Sequence, residues 1–516
     1  MLVVAFCLLR RYLRGACIIL AASIVLLSAG DASYAQAQAP SANARRPIIF
    51  IPGLLGSRLC RDNPANPAEP ILAWGSIGAL PDFPTLRIGS DVADDLKPCG
   101  VIREIVFLGP LKQELYAPII NHLEKIGYRE GADLFIFDYD WRRSVFDNAA
   151  RLETFAREKI PDPAQRFDIV AHSMGGLIAR VYVNRHGGAQ RVARLFSAGS
   201  PFQGSVKVYA TLDKGWGGLN SLMGGLPAFR RTMLSFPSVY ELAPRYGDCC
   251  EAGAGQAFAL AETESWRALK WEGVDPAIMT DLKIAASRTD ELRHIVETPL
   301  PAGIEDVLLI GVDQRTPQRV VFEAGDAGTI ARVRTTWEGD GTVLRSSATL
   351  TGASLHPTSF ATHEKILSDP QIQQFLQVAL TRDVAEAMRS VPVRPRGKIE
   401  TSDGKLTELV GIVVEPDETV YRAGQTGRVR VHVRLGNTQK LRPGTIKMTA
   451  RMPGGRDVSI MLKPDPASSA PGNPFEQSFA GQFNAGATPG IAVLKAVVPL
   501  SGRARVVEQP LAVIAK

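Results

Sequence analysis

The sequence predicts an α/β protein with a mostly parallel sheet, followed by a second, all-β domain of immunoglobulin-like sandwich type. Three observations predict it. Apolar strands alternate with helices between residues 46 and 200, one of those strands ends in a small-residue turn carrying a serine, and the hydrophobic period changes to two beyond residue 397. At 516 residues the chain exceeds one compact domain, and 45% apolar with 22% charged residues is ordinary globular composition.

Residues 1–37 read as a secretory signal. Arg10, Arg11 and Arg14 supply the positive flank, and Ala16 to Leu27 is apolar but short for a membrane span. Ser33-Tyr34-Ala35 and Ala35-Gln36-Ala37 are both small-x-small cleavage sites. Read from Leu2 onward, the same run is an uncleaved anchor. Either reading exports the folded part, to a bacterial periplasm or beyond. Of the net charge of +7, +2 falls in this segment (three Arg against Asp31), leaving +5 spread along the rest. No basic stripe with interleaved aromatics is present, which argues against nucleic acid. A mild positive excess fits peripheral contact with a lipid surface. Cys7 and Cys17 fall in the signal. The other four, Cys60, Cys99, Cys249 and Cys250, allow three pairings in an exported chain. Cys60 with Cys99 is favoured because both lie in one insertion. A bond between the adjacent Cys249 and Cys250 would be strained. No metal-ligand spacing is present.

The elements follow in order. Arg46 to Ile51 is an unbroken apolar run of the buried parallel type, ended by Pro52-Gly53-Leu54-Leu55-Gly56-Ser57. Residues 60–105 are rich in Pro, Gly and Asp and read as irregular, with Trp74 and Phe83 exposed. Leu111 to Ile126 is helical and stops at Gly127, Asp133 to Tyr139 is a strand, and Asn148 to Ile160 is a helix stopped by Pro161. Phe167 to Ala171 and Val192 to Phe196 are strands. Residues 205–300 lose the alternation and read as a cap. Asp306 to Val312 resumes the sheet, Val320 to Phe322 pairs with Ile330 to Arg334, and helical Glu364 to Ala387 closes a domain of residues 38–389. Residues 390–397 are a Pro- and Arg-rich linker. In the sandwich, residues 398–516, Arg428 to Leu435 alternates strictly. Leu409–Val414, Thr445–Arg451, Val458–Leu462, Ala492–Val498 and Val506–Ile514 are further strands.

The run Phe167-Asp168-Ile169-Val170-Ala171-His172-Ser173-Met174-Gly175-Gly176 lifts one hydroxyl to the top of the sheet, as in the nucleophile elbow of α/β-hydrolases. The pattern is G-x-S-x-G, with Ala171 in the first glycine position. A serine hydroxyl needs a base, and the base needs an orienting acid; in this fold the chain order is Ser, acid, His. Asp340, in Glu338-Gly339-Asp340-Gly341-Thr342-Val343, is the candidate acid, with Glu338 and Asp313 as rivals. His363, just before the terminal helix, is the candidate base, with His356 as rival. His122 and His186 read as surface, His294 lies in the cap and His432 in the sandwich. His172 reads as a pocket-lining residue. The backbone N–H groups of Leu54 and Met174 are candidates for an oxyanion hole. The chemistry is acyl transfer and needs no diffusible cofactor.

Several segments in order resemble the lecithin:cholesterol acyltransferase family, which also holds phospholipid:diacylglycerol acyltransferases and lysosomal phospholipase A2. They are Pro52-Gly53-Leu54-Leu55-Gly56-Ser57, Tyr139-Asp140-Trp141-Arg142, Ala171-His172-Ser173-Met174-Gly175-Gly176, Ser238-Val239-Tyr240-Glu241-Leu242-Ala243-Pro244 and Gly339-Asp340-Gly341-Thr342-Val343. The resemblance implies a Ser173, Asp340, His363 triad with Leu54 and Met174 as the hole. It implies a mobile lid over residues 58–105, around Cys60, Trp74 and Cys99, longer than is usual in the family. Asp140 and Arg142 resemble a structural ion pair, and Trp141, His172 and Trp74 are candidate substrate contacts. The acyl donor would be a phospholipid or glyceride and the acceptor water or an alcohol. The sandwich has no counterpart in the family, and its partner is unknown. Two rival readings are a non-lipid carboxylesterase and a lipid- or surface-binding protein on an inactive hydrolase scaffold.

Overall fold

A computed structural model describes residues 45–516 apart from 90–93, 109–110, 247–248, 253–255, 259–268, 274–277, 326–327, 354–357, 392–395, 419, 443, 467–473, 502 and 516. The expected signal and His356 lie outside the described residues. Residues 46–516 form a single compact unit. No helix among the described residues is long and apolar enough to cross a membrane.

Six strands make the main sheet: β1 (Ile48–Ile51), β2 (Leu134–Ile136), β3 (Phe167–His172), β4 (Val192–Ala198), β5 (Glu305–Gly311) and β6 (Thr358–Ser359). Their spatial order is β6-β5-β4-β3-β1-β2, and every neighbouring pair is parallel. β1, β3 and β4 are buried along their whole length, because both faces are covered. β1 shows the division of the core. Ile48 and Phe50 pack with helices Ala117–Lys125 and Pro370–Thr381, while Ile49 and Ile51 pack with Val145–Lys159 and Met174–Arg185. The chain runs from β1 outward to β2, then returns to the other side of β1 as β3. Ligands of such sheets bind beyond the carboxyl ends at this switch point. There β1 ends in the Pro52–Gly56 turn and β3 ends in Ser173. This is the sheet of an α/β-hydrolase.

Several elements differ from the expectation. The stretch read as irregular, residues 60–105, contains regular structure: Ser57–Arg61 lies between Ile71–Trp74 and Lys97–Val101 in an antiparallel sheet. Cys60 and Cys99 are bonded across two of its strands, and the adjacent Cys249 and Cys250 are linked as well. Phe83 is fully buried, and Trp74 is half-buried against Phe83, Trp141 and Trp216. Both rings lie against Trp216, and Phe83 also against Phe229; these come more than a hundred residues later and leave no trace in local composition. Leu111–Glu114 is a strand paired with Glu104–Leu108, and the helix begins only at Ala117, with Pro118 in its first turn.

The sandwich holds two five-stranded sheets. Its strand Glu476–Asn484 is an interior strand of one of them and pairs with the central strand Thr426–Leu435. It escaped the sequence reading because two of its inward residues, Glu476 and Ser478, are polar.

The Cys60–Cys99 link closes a separation of 39 residues. Replacing both with Ser is expected to lower stability by about 4 kcal/mol on the chain-entropy model, read as a fall in the urea-extrapolated stability. An unchanged stability would mean that this cross-link does not act through the unfolded chain.

Candidate active site

Ser173 follows β3 directly at φ 54° and ψ −124°, a backbone region that side chains other than glycine rarely enter. Its N–H donates to Ala198 O at the end of β4 (2.8 Å), and the helix starts at Met174. The two glycines after Met174 permit this crossing. A Cβ on Gly175 would lie 2.6 Å from Pro52 O, and one on Gly176 would lie 2.0 Å from Ser200 Oγ.

His363 Nε2 lies 3.0 Å from Ser173 Oγ, and His363 Nδ1 lies 2.8 Å from Asp340 Oδ2. A proton on Nδ1 donated to the carboxylate leaves Nε2 free to accept from the serine hydroxyl. The other oxygen of Asp340 accepts the N–H groups of Thr342 (2.9 Å) and Val343 (2.6 Å), so the acid is held by its own turn. Asp340 O also accepts from the His363 N–H at 2.8 Å, which locks acid and base loops together. All three side chains are buried. Burial alone would lower the His363 pKa, but the Asp340 charge and hydrogen bond outweigh it and hold the imidazole above its ordinary value.

A second histidine stands beside the first. The Tyr116 hydroxyl accepts from the Gly53 N–H (2.8 Å) and sits 2.9 Å from His172 Nδ1, while His172 Nε2 sits 2.9 Å from His363 O. The self-consistent assignment has the tyrosine donating to Nδ1 and Nε2–H donating to the carbonyl. Burial, then the nearby His363, push His172 down to about 3. It therefore stays neutral and ties the base loop to the Pro52–Gly56 turn. Tyr116 carries no sequence signal of this role.

The Pro52–Gly56 turn is pinned from three sides: Tyr139 Oη donates to Pro52 O, Trp74 Nε1 to Leu55 O, and Tyr116 holds Gly53. Leu55 sits at φ 64°, a strained value that this bracing sustains. A Cβ on Gly53 would come 2.9 Å from Ser173 Cβ, so the turn presses on the nucleophile. Leu54 lines the adjoining cavity. Met174 opens its helix, where an N–H has no intrahelical acceptor.

Ser173, His172 and His363 lie on one wall of a cavity of about 450 Å³. Trp74, Leu80, Ile102, Leu212, Trp216 and Val239 make most of the remainder apolar. Lys207 and Glu364, both exposed, also line it, and neither stood out in the sequence. Trp141 does not line it. It is buried behind Trp74, and its indole N–H donates to Ser57 O. Arg142 grips both oxygens of Asp140 (2.9 and 2.7 Å) and also Leu86 O and Asp94, so the pair fastens the Leu86 and Asp94 stretch to the segment after β2. Glu241, from the Ser238–Pro244 segment, accepts from Ser144 Oγ and the Val145 N–H at the start of a helix, and burial pushes it up to about 7.

The rivals lie elsewhere. Glu338 is exposed, and Asp313 is paired with Arg396. His122 is in helix Ala117–Lys125, His186 caps Met174–Arg185 and His294 is in Ile278–Glu297. His432 is buried in the sandwich between Glu415 and Glu476. Among the described residues no cluster of His, Cys, Asp and Glu could hold a metal.

Residues 99–273 match the lecithin:cholesterol acyltransferase family model. The chain is similar to that family. Lecithin-cholesterol acyltransferase-like 4 of Arabidopsis thaliana is 24% identical over 244 residues, which is 40% of this chain. The chain spans only 43% of the length of that relative. Among solved structures, the Tle4-Tli4 complex matches 68% of this chain and 100% of the other at 16% identity and a TM-score of 0.47. The mature Bacillus licheniformis lipase BlEst2 matches 66% of this chain and 94% of its own at 15% identity and TM-score 0.32. Phospholipase PlaB from Legionella pneumophila matches 92% of both chains at 11% identity and TM-score 0.31.

Proposed function

We propose that this chain is an exported, serine-dependent lipid acyl-ester enzyme of the lecithin:cholesterol acyltransferase type. Ser173, deprotonated by His363, attacks the ester carbonyl of a phospholipid or glyceride; the ester C–O bond then breaks, and the His363 imidazolium returns its proton to the departing alcohol oxygen, leaving the acyl-serine. Asp340 holds the imidazole tautomer and stabilises the imidazolium, and the Leu54 and Met174 N–H groups receive the oxyanion. The acyl-serine then passes to water or to an alcohol. One observation carries the proposal: the hydrogen-bonded Ser173–His363–Asp340 chain opens into a cavity whose walls are apolar over most of their extent. That volume lies within the ordinary ligand-pocket range of about 300–1,000 Å³. A hydrocarbon chain fits such walls better than a soluble polar ester does. The bonded Cys60 and Cys99 are compatible with export.

The test is product analysis with acyl-labelled phospholipid, with and without a long-chain alcohol. Labelled free fatty acid or alcohol ester is expected, and it should vanish in Ser173→Ala. Ester formation assigns transfer, and fatty acid alone assigns hydrolysis. No release from phospholipid or glyceride, with rapid turnover of short soluble esters, would contradict the lipid reading.

A further inference from the structure

The segment Asp313–Thr316 lies between the site and the sandwich, and its side chains alternate between the two. Gln314 and Thr316 serve the site. The Gln314 N–H donates to Gly339 O (2.9 Å) and its Nε2 to Phe360 O (2.7 Å), while Thr316 Oγ1 accepts from the Gly341 N–H (2.8 Å). Those contacts hold the turn bearing Asp340 and the approach to His363. Arg315 serves the sandwich, and Asp313 the linker that leads into it. Asp313 pairs with Arg396 through two bonds of 2.9 and 3.0 Å, and Arg315 reaches Glu415 at 3.2 Å. Asp313 holds φ 62°, a value that only firm bracing sustains.

Trp337, three residues before Asp340, is a second tie. Its buried indole N–H donates to Glu476 Oε2 at 2.9 Å, and its carbonyl accepts from the Asp313 N–H at 3.1 Å. Its ring lies against Gly411 of the sandwich, where a Cβ would come 2.4 Å from the ring carbons. Gly411 stands at the register shift after Leu409, so the strand is both shaped and vacated to seat this ring. Glu476 is itself buried, with its other oxygen near Arg315 and His432.

We infer that the C-terminal sandwich is a positioning element for the reaction: through Trp337 and Asp313–Thr316 it fixes the turn that presents Asp340 to His363. The inference rests on the acyl-serine reading. A misplacement of about 1 Å in such a constellation costs on the order of a hundredfold in rate.

The test compares Trp337→Phe, Arg315→Met, Glu476→Ala and Glu476→Gln with the unmodified chain, with active sites counted by a fluorophosphonate probe. The first three are expected to lower kcat on a long-chain ester by about tenfold or more per labelled site at unchanged KM. Glu476→Gln keeps an acceptor for the indole and should retain most of kcat. The acid limb of the pH profile should also move down in the first three variants. His363 faces Asp340, His172, Glu364 and Lys207, and only the first, which raises its pKa, is disturbed. Variants that lose thermal stability yet keep kcat per labelled site and the wild-type pH limb would overturn the inference. Asp340→Asn runs alongside. If it leaves kcat and the limb untouched, the triad reading itself fails; if it changes them and the sandwich variants do not, only the sandwich inference fails.

Discussion

Ser173→Ala is expected to lose on the order of 10⁶-fold in kcat while remaining folded, and His363→Ala to lose about as much. The two side chains make one unit, because the hydroxyl is a nucleophile only while Nε2, 3.0 Å away, can take its proton. Removing both should therefore cost no more than removing either. Alanine fits the site sterically, since it is the same side chain without its Oγ. Steady-state rates on a long-chain ester, with circular dichroism as the folding control, check the result. Additive losses in the double variant would mean that the two residues act independently.

Asp340→Asn is expected to lower kcat by about 10⁴-fold, because an amide NH₂ facing His363 Nδ1 favours the wrong tautomer. The same substitution has a signed effect on pH dependence. His363 must be neutral to act as a base, so its raised pKa places the acid limb of kcat/KM above the ordinary histidine value. Without the Asp340 charge, burial, the largest single influence, outweighs what the exposed Glu364 adds, and the limb should move to lower pH. For stability the raised pKa has the matching sign. The His363⁺–Asp340⁻ attraction stabilises the fold fully below the ordinary histidine pKa and is lost as pH rises through the folded value. Glu338→Gln, at an exposed position, should leave both kcat and the limb unchanged.

Much of this arrangement was legible in the sequence, for a physical reason. Strands covered on both faces must be apolar throughout, so β1, β3 and β4 stand out as unbroken runs ending at the turns that matter. The chain order of Ser173, Asp340 and His363 follows from the order of β3, β5 and β6 in the sheet. Elements stabilised by distant contacts were hidden. The lid strands are short, polar at their edges and held by Cys60–Cys99, while Phe83 is buried by Trp216 and Phe229 of the cap. Tyr116 meets Gly53 and His172 only in three dimensions. Trp141 is a candidate substrate contact by the resemblance, yet it is buried and its indole N–H is satisfied by Ser57 O. The same blindness covers Asp313. It carries a carboxylate in a suitable stretch of chain, and only the fold reveals that Arg396 occupies it.

The central claim is that an acyl group passes through the oxygen of Ser173. Mass spectrometry of acid-quenched reactions with a labelled phospholipid tests it most directly. The account predicts the acyl mass on the peptide containing Ser173 in the unmodified chain and none there in His363→Ala. Turnover with the acyl mass on any other residue, or at an unchanged rate in Ser173→Ala, would contradict it.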